Sequence, residues 1–168
     1  MKWFAHTLIG FGLVAPFGVP EAAIAVIGAT APDWMEFVAR AAGLRLQHRR
    51  QTHYLLTWLI ALIPAYFISP WLVAFAVGGI SHILADAMTV SGVPFSPWSR
   101  SNFHLFGGRL RTGEPAEYFI GATVAIVGVL ISGTINGDWI PFIYDWGDYY
   151  NADIIDGAEW HEKRFKVF

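Results

Sequence analysis

The chain has 168 residues, of which 55% are hydrophobic and only 14% charged, and its formal net charge is −2. This composition is more apolar than that of soluble domains and indicates a membrane protein, while the net charge excludes the global basic field of a nucleic-acid-binding protein. Because the chain has no cysteine, disulfides and thiolate metal sites are excluded, and any transition-metal site must use His, Asp and Glu.

Five apolar segments follow one another along the chain, and we predict that each is a helix. They are Trp3 to Val19, Ala22 to Ala31, Tyr54 to Ser69, Trp71 to Val90, and Tyr118 to Ile135. A helix needs about 20 apolar residues to cross the hydrocarbon core of a bilayer. The fourth and fifth segments meet that length, the first and third are marginal, and the second is too short alone. We expect the second to be a half-span, re-entrant or buried in the bundle.

The predicted fold is an all-α integral membrane bundle of about four to five apolar helices in residues 1–136. Four prolines are expected at or near segment ends, where proline ends or kinks a helix: Pro16, Pro20, Pro64 and Pro70. Residues 137–168 form an acidic, aromatic tail in which aspartates alternate with tyrosines and tryptophans. Such aromatics are typical of a membrane interface.

Arginines are concentrated in two predicted loops. They are Arg40, Arg45, Arg49 and Arg50 before the third segment, and Arg100, Arg109 and Arg111 before the fifth. Two helices separate these loops, so both emerge on one side of the membrane. By the positive-inside rule that side is cytoplasmic, together with Lys2. We therefore expect a multi-pass protein in contact with membrane lipids, with no nucleic acid as a direct partner.

His82 and Asp86 lie four residues apart in the fourth segment and therefore share one helix face. Burying both without a partner would be costly. In an up-and-down bundle, His6 starts the first helix, Asp33 ends the second and His53 starts the third, so all three reach the same end as this pair. His and Asp are suitable zinc ligands. The sequence predicts a site for one or two divalent ions, expected to be zinc, held by His6, Asp33, His53, His82 and Asp86.

Each of these residues also has a structural interpretation. The His82/Asp86 pair suits a hydrogen-bonded structural pair or a proton relay, and His6 an ordinary buried histidine. Asp33 follows Pro32 and suits a helix N-cap or a turn. His53 suits a basic loop facing lipid headgroups. Glu117, which starts the fifth helix at the same end, suits a cap favoured by the helix dipole.

The sequence also resembles the YdjM-like family of LexA-regulated, inner-membrane-associated proteins, which are proposed metal-dependent hydrolases. The resemblance covers about residues 1–130. It rests on Ala5-His6-Thr7, Ala31-Pro32-Asp33, His48-Arg49-Arg50-Gln51-Thr52-His53, Ser81-His82-Ile83-Leu84-Ala85-Asp86-Ala87-Met88-Thr89, Gly92-Val93-Pro94 and Pro97-Trp98. It implies a protein of the bacterial inner membrane. The order of His and Asp residues is also similar to that of zinc-dependent phospholipase C and related nucleases.

The chain departs from the family pattern at three positions. Where the family has a second aspartate after Pro-Asp, this chain has Met35. Arg50 replaces a glycine and Tyr54 replaces a serine. The loss of the second aspartate bears directly on whether more than one ion can bind, although Glu36 follows it and offers another carboxylate.

The leading functional hypothesis is a membrane hydrolase acting on phosphoester or phospholipid substrates through a metal-activated water. Glu117 or Glu36 is the expected general base. Arg49, Arg50 or Arg109 is expected to hold a phosphate, since guanidinium binds phosphate oxygens in a bidentate fork. The alternative is a non-catalytic membrane scaffold with a structural metal site and a tail that binds a protein partner. A proton-coupled transporter is disfavoured, because the ionisable groups collect at one end of the bundle.

Overall fold

The computed structural model describes residues 1–47, 49–135, 150–151, 153 and 156–158. These residues contain five α-helices: α1 (Trp3–Val14), α2 (Val19–Ala41), α3 (Leu55–Ile68), α4 (Pro70–Ala87) and α5 (Pro115–Ile135). The predicted all-α architecture is confirmed. His48 and most of the predicted tail, residues 137–168, lie outside the described residues, so the domain boundary at 136 stays a prediction.

Three helices are long and apolar enough to cross a membrane: Val19–Ala41, Pro70–Ala87 and the Pro115–Gly133 part of α5. The stretches Trp3–Phe17 and Leu55–Ile68 are apolar but shorter. Large apolar side chains such as Phe67 and Phe119 point outward, where they are 80% and 74% exposed. Such a surface is favourable in contact with lipid tails.

The second helix differs from its prediction. It runs for 23 residues and contains Pro32, whereas the sequence pattern predicted an end at Ala31 and a segment too short to span. Proline removes one backbone N–H and disfavours a helix interior, but membrane helices tolerate it because neighbouring groups satisfy the freed carbonyl. Asp33 therefore lies within α2, neither at its end nor in an N-cap or turn. Pro64 likewise lies inside α3.

Small residues let α4 approach α2, and α1 approach α5. A Cβ added to Gly78 of α4 would lie 2.2 Å from the carbonyl oxygen of Ala25 in α2. A Cβ on Gly12 of α1 would lie 2.3 Å from the carbonyl oxygen of Val124 in α5. Close backbone approach over small residues is the usual packing of helices in membranes. These contacts lie on three of the helices that carry the polar residues, α1, α2 and α4.

The connection between α4 and α5 folds back over the C-terminal end of α4. It contains two short antiparallel strands that the sequence pattern did not predict, β1 (Val93–Pro94) and β2 (Asn102–Phe103). The Leu105 N–H donates to the Ala87 carbonyl at 2.8 Å, and the Leu110 N–H donates to that of Met88 at 3.1 Å. The end of α4 that carries His82 and Asp86 is thus held beneath an ordered loop.

Candidate metal centre

The five predicted ligands come from four separate parts of the fold. His6 lies in α1, Asp33 in α2, His53 in a 3₁₀ turn before α3, and His82 and Asp86 in α4. The structure brings them into two triads that share His82. These are His6–His82–Asp86 and Asp33–His53–His82, and within each triad the ligand atoms lie within 4.8 Å of one another. The three imidazoles and Asp86 are at most 1% exposed, whereas the Asp33 side chain is 20% exposed.

In the first triad the two imidazoles stack above one carboxylate. The His6 and His82 ring centroids are 3.7 Å apart, with an interplanar angle of 15°. His6 Nε2 lies 3.3 Å from Asp86 Oδ1, and His82 Nε2 lies 3.7 Å from Asp86 Oδ2. The i,i+4 pair in α4 thus presents both of its polar groups to His6.

The second triad shares His82 with the first. His53 Nε2 lies 3.4 Å from Asp33 Oδ1, and His82 Nε2 lies 3.8 Å from the same oxygen. The His53 ring meets the His82 ring edge-on, with centroids 5.2 Å apart. The other oxygen of Asp33, Oδ2, accepts a hydrogen bond from the Trp3 indole N–H at 2.6 Å.

The hydrogen bond of His82 to the backbone determines its tautomer. His82 Nδ1 lies 2.7 Å from the Ala29 carbonyl oxygen, and because a carbonyl only accepts, Nδ1 carries the proton. The lone pair of His82 therefore sits on Nε2, which faces both carboxylates. A backbone carbonyl that orients a histidine in this way is a usual outer partner of a metal ligand.

Buried ring nitrogens that form no hydrogen bond indicate whether a metal ion would fit this cluster. Among the described residues, His82 Nε2 and both ring nitrogens of His6 have no hydrogen bond, although His6 Nε2 keeps its 3.3 Å ion-pair contact with Asp86 Oδ1. Buried polar atoms are nearly always satisfied, and leaving them unsatisfied costs free energy. Imidazole nitrogens and carboxylate oxygens are the donors that zinc and similar ions accept in proteins. The residues present fit a divalent ion.

Two cationic groups also contact Asp86. The Met1 amino group contacts Oδ1, and Arg49 Nη2 lies 3.3 Å from Oδ2 and 3.4 Å from Oδ1. Arg49 has a φ of 57°, a left-handed conformation that few non-glycine residues adopt. Arg49, which was predicted to hold a phosphate, thus forms an ion pair with the candidate ligand Asp86.

The other two arginines predicted to hold a phosphate lie elsewhere. Arg50 donates to Gln47 Oε1 at 3.1 Å, and Arg109 lies in the loop before α5.

The two predicted general bases lie outside both triads. Glu36 is 3% exposed and forms an ion pair with Arg40 four residues later. Glu117 is fully buried at the start of α5, where its Oε1 accepts from the Lys2 N–H at 3.3 Å. Its Oε2 has no hydrogen-bond partner in the part of the chain that the structure describes.

Met35 points away from the cluster. Two residues along a helix correspond to a rotation of about 200°, so Met35 and Asp33 lie on nearly opposite faces of α2. Met35 is accordingly 41% exposed. An aspartate at position 35 would face outward, and its replacement by methionine removes no donor from the five-residue cluster.

A groove of about 270 Å³ leads from the surface to Asp33, and it is lined by Trp3, Asp33, Glu36, Phe37 and Arg40. The four lining residues from α2 are spaced i, i+3, i+4 and i+7, so they follow one helix face. The sequence pattern missed Trp3 and Arg40. The spacing from Asp33 is the signal that points to Arg40, whereas nothing in the sequence marks Trp3.

A family model described as YdjM inner membrane protein matches residues 1–142. This match confirms the resemblance found in the sequence motifs, and it spans all five residues of the cluster. Neither a curated protein nor a solved structure matches the chain.

Proposed function

We propose, on the premise that the chain belongs to the YdjM inner membrane protein family, that it is a membrane-bound metal-dependent hydrolase. One observation carries this proposal: buried imidazole nitrogens of His6 and His82 lack hydrogen-bond partners among the described residues and lie beside two carboxylates. Buried polar groups at one end of an apolar bundle are costly without partners, and a bound cation would supply one.

His6, Asp33, His53, His82 and Asp86 would hold one or two divalent ions, and zinc is expected from the His and carboxylate donors. His82 belongs to both triads but offers only Nε2, because its Nδ1–H is bonded to Ala29. It can therefore bind a single ion. A second ion would depend on a bridging carboxylate, for which Asp86 is the candidate.

When bound, such an ion polarises a phosphoryl or acyl oxygen and lowers the pKa of a water from about 15.7 toward about 7. The surrounding residues would position the substrate. Asp33 and Arg40 both line the groove, and the Arg40 guanidinium, which is half-exposed beside Glu36, suits phosphate oxygens. Glu36, which pairs with Arg40, lines the same groove and is the better placed general base, since Glu117 is not among the residues that line it. Arg49 would act by neutralising Asp86.

The proposed substrate class is based on the position of the groove along α2 and therefore on its expected depth in the membrane. Asp33 lies eight residues before the end of α2 at Ala41, which corresponds to about 12 Å along the helix axis. The groove extends from Asp33 to Arg40, one residue before that end, and a groove that opens toward the end of a membrane helix supports access from the lipid headgroups. Trp3 and Phe37 flank it and are 55% and 73% exposed, which suits contact with acyl chains. We therefore propose a phosphoester, with phospholipid as the preferred substrate.

The proposed orientation in the bacterial inner membrane is multi-pass, with the metal centre on the cytoplasmic side. The last turn of α2 and the loops at the end that carries the cluster contain the arginines of positions 40–50 and 100–111, whereas the turns at the other end, residues 15–18 and Ser69, have no lysine or arginine. By the positive-inside rule, this charge asymmetry supports a cytoplasmic position for the basic loops.

The hydrolase proposal is tested by measuring bound zinc and phosphodiester hydrolysis of the full chain purified in detergent. We expect zinc and turnover of bis(p-nitrophenyl) phosphate in the native protein, and loss of both in His82→Ala and Asp86→Asn. His104→Ala is the matched control, because His104 is exposed and contacts the Val90 carbonyl. A folded native protein without metal, or turnover that survives His82→Ala, would contradict the proposal.

The burial of the cluster favours one alternative function. Four of the five donors are at most 1% exposed, and a closed shell of four ligands is typical of structural zinc. A membrane scaffold whose tail binds a protein partner would retain stoichiometric zinc but hydrolyse no phosphodiester. Deleting residues 138–168 would then abolish partner binding and leave zinc bound.

A further inference from the structure

We infer that Trp3 is a positioning residue, whose indole N–H holds the Asp33 carboxylate in the orientation that presents Oδ1 to the metal centre. This inference rests on the proposed ion site. Trp3 belongs to neither triad and was not marked by any sequence motif, yet it is the first residue of α1 and forms a short hydrogen bond across to α2.

The geometry separates the tasks of the two Asp33 oxygens. Oδ2 accepts the Trp3 Nε1–H at 2.6 Å, while Oδ1 lies 3.4 Å from His53 Nε2 and 3.8 Å from His82 Nε2. Asp33 is the least buried member of the cluster, with a side chain that is 20% exposed. A carboxylate at the edge of a groove has other rotamers available, so an outer hydrogen bond is what selects this one.

An indole is well suited to this role. It has a single donor and no acceptor, so it bonds the carboxylate without competing for the cation. Its rigid ring has only two side-chain torsions, so little conformational entropy is lost when it is held in place. Histidine or lysine at the same position would bring a lone pair or a charge toward the site. The Trp3 N–H fixes one oxygen and leaves the other free to bind a cation.

Trp3 also couples the two triads through α1. His6 follows Trp3 by three residues, so both lie on neighbouring positions of one helix face. His6 contributes to the triad with Asp86, while Trp3 acts on Asp33 of the other triad. The first turn of α1 therefore organises donors on both sides of His82.

The test compares Trp3→Phe with Trp34→Phe. Trp3→Phe keeps an aromatic ring, although a smaller one, and removes the N–H donor; since Trp3 is 55% exposed, the fold should be retained. Trp34 is the neighbour of Asp33, but its indole faces the Ile27 carbonyl at 3.4 Å, so Trp34→Phe removes an indole without touching the cluster. Zinc affinity is measured by chelator competition on the full chain in detergent.

We expect Trp3→Phe to weaken zinc binding about 10- to 100-fold, the usual effect of losing an outer-shell hydrogen bond, and Trp34→Phe to leave it unchanged. The d–d absorption of the Co²⁺-loaded protein should change in Trp3→Phe alone, because it reports ligand geometry. In an Asp33→Ala background, Trp3→Phe should have no further effect on zinc affinity, since the two residues act as one unit.

The outcomes separate this inference from the proposed function. A native protein that binds no zinc would overturn both. Native zinc binding with an unchanged Trp3→Phe affinity and Co²⁺ spectrum would overturn the role of Trp3 alone. An equal loss in Trp34→Phe, or a loss from Trp3→Phe that persists without Asp33, would show a general effect on folding and would also overturn it.

Discussion

At the scale of single residues, His82 has the most demanding position. It is fully buried, stacks on His6, meets His53 edge-on and approaches both carboxylates. His6 and His53 each belong to one triad, whereas His82 belongs to both. The three imidazoles are therefore not equivalent, although the sequence motifs give no reason to rank them.

This inequality predicts a ranking of zinc affinities. His82→Ala should weaken zinc binding more than either His6→Ala or His53→Ala, because each of the latter leaves one triad complete. The loss in His82→Ala should exceed the about 10- to 100-fold expected for an outer-shell partner. Chelator competition on the three variants provides the comparison. A larger loss in His6→Ala or in His53→Ala would assign the ion to a different donor set.

The sequence predicted the members of the cluster better than its surroundings. The histidines and aspartates were found because polar groups in apolar segments need partners and helix alternation brings them to one end. Trp3 and the backbone contact of His82 with Ala29 were not found, because an indole and a carbonyl occur at many positions. The outward direction of Met35 was not predictable either, because it follows from the continuation of α2 beyond this residue.

At the scale of helices, α2 shows where sequence pattern fails. Pro32 followed by Asp33 is typical of a helix end, but the helix continues to Ala41. The apolar segments that became α4 and α5 were predicted correctly, because their hydrophobic runs are long. The strands after α4 were missed because each has only two residues, too few for a period to be detected.

Helix packing over glycine predicts a stability difference between two alanine variants. Gly78→Ala would bring a methyl group within 2.2 Å of the Ala25 carbonyl oxygen, whereas Gly121→Ala meets the Ala5 carbonyl oxygen at 3.2 Å. We expect Gly78→Ala to lower the free energy of unfolding by about 1–3 kcal/mol, the usual cost of overpacking. Gly121→Ala should be nearly neutral, because the gain in helix propensity offsets a small adjustment.

Thermal unfolding of both variants in the same detergent gives this comparison. Equal melting temperatures for Gly78→Ala and the native protein would mean that α2 and α4 are less closely packed than the structure has them.

At the scale of the whole molecule, the candidate ligands lie together at one end of the part of the bundle that the structure describes. The cluster, the basic loops and the folded connection before α5 share that end, while the α1–α2 turn and the α3–α4 corner carry no arginine or lysine. An asymmetric charge distribution of this kind orients a membrane protein.

The proposed orientation predicts the labelling of single cysteines, which are easily introduced because the chain has none. Trp98→Cys in the loop before α5 and Phe17→Cys in the α1–α2 turn are suitable sites, being 80% and 76% exposed in the native protein. A membrane-impermeant maleimide should label Phe17→Cys in intact spheroplasts and Trp98→Cys only after permeabilisation. The reverse pattern would place the metal centre on the periplasmic side.

The bond between His82 and Ala29 has a consequence for how the centre can change by mutation. The acceptor is a main-chain carbonyl, which every amino acid has, so no substitution at position 29 deletes the oxygen. A centre whose histidine is oriented by a glutamate or a serine can lose that partner in one mutational step. Here the ring orientation is inherited with the path of α2 itself, so the proton stays on Nδ1 for as long as that path is kept.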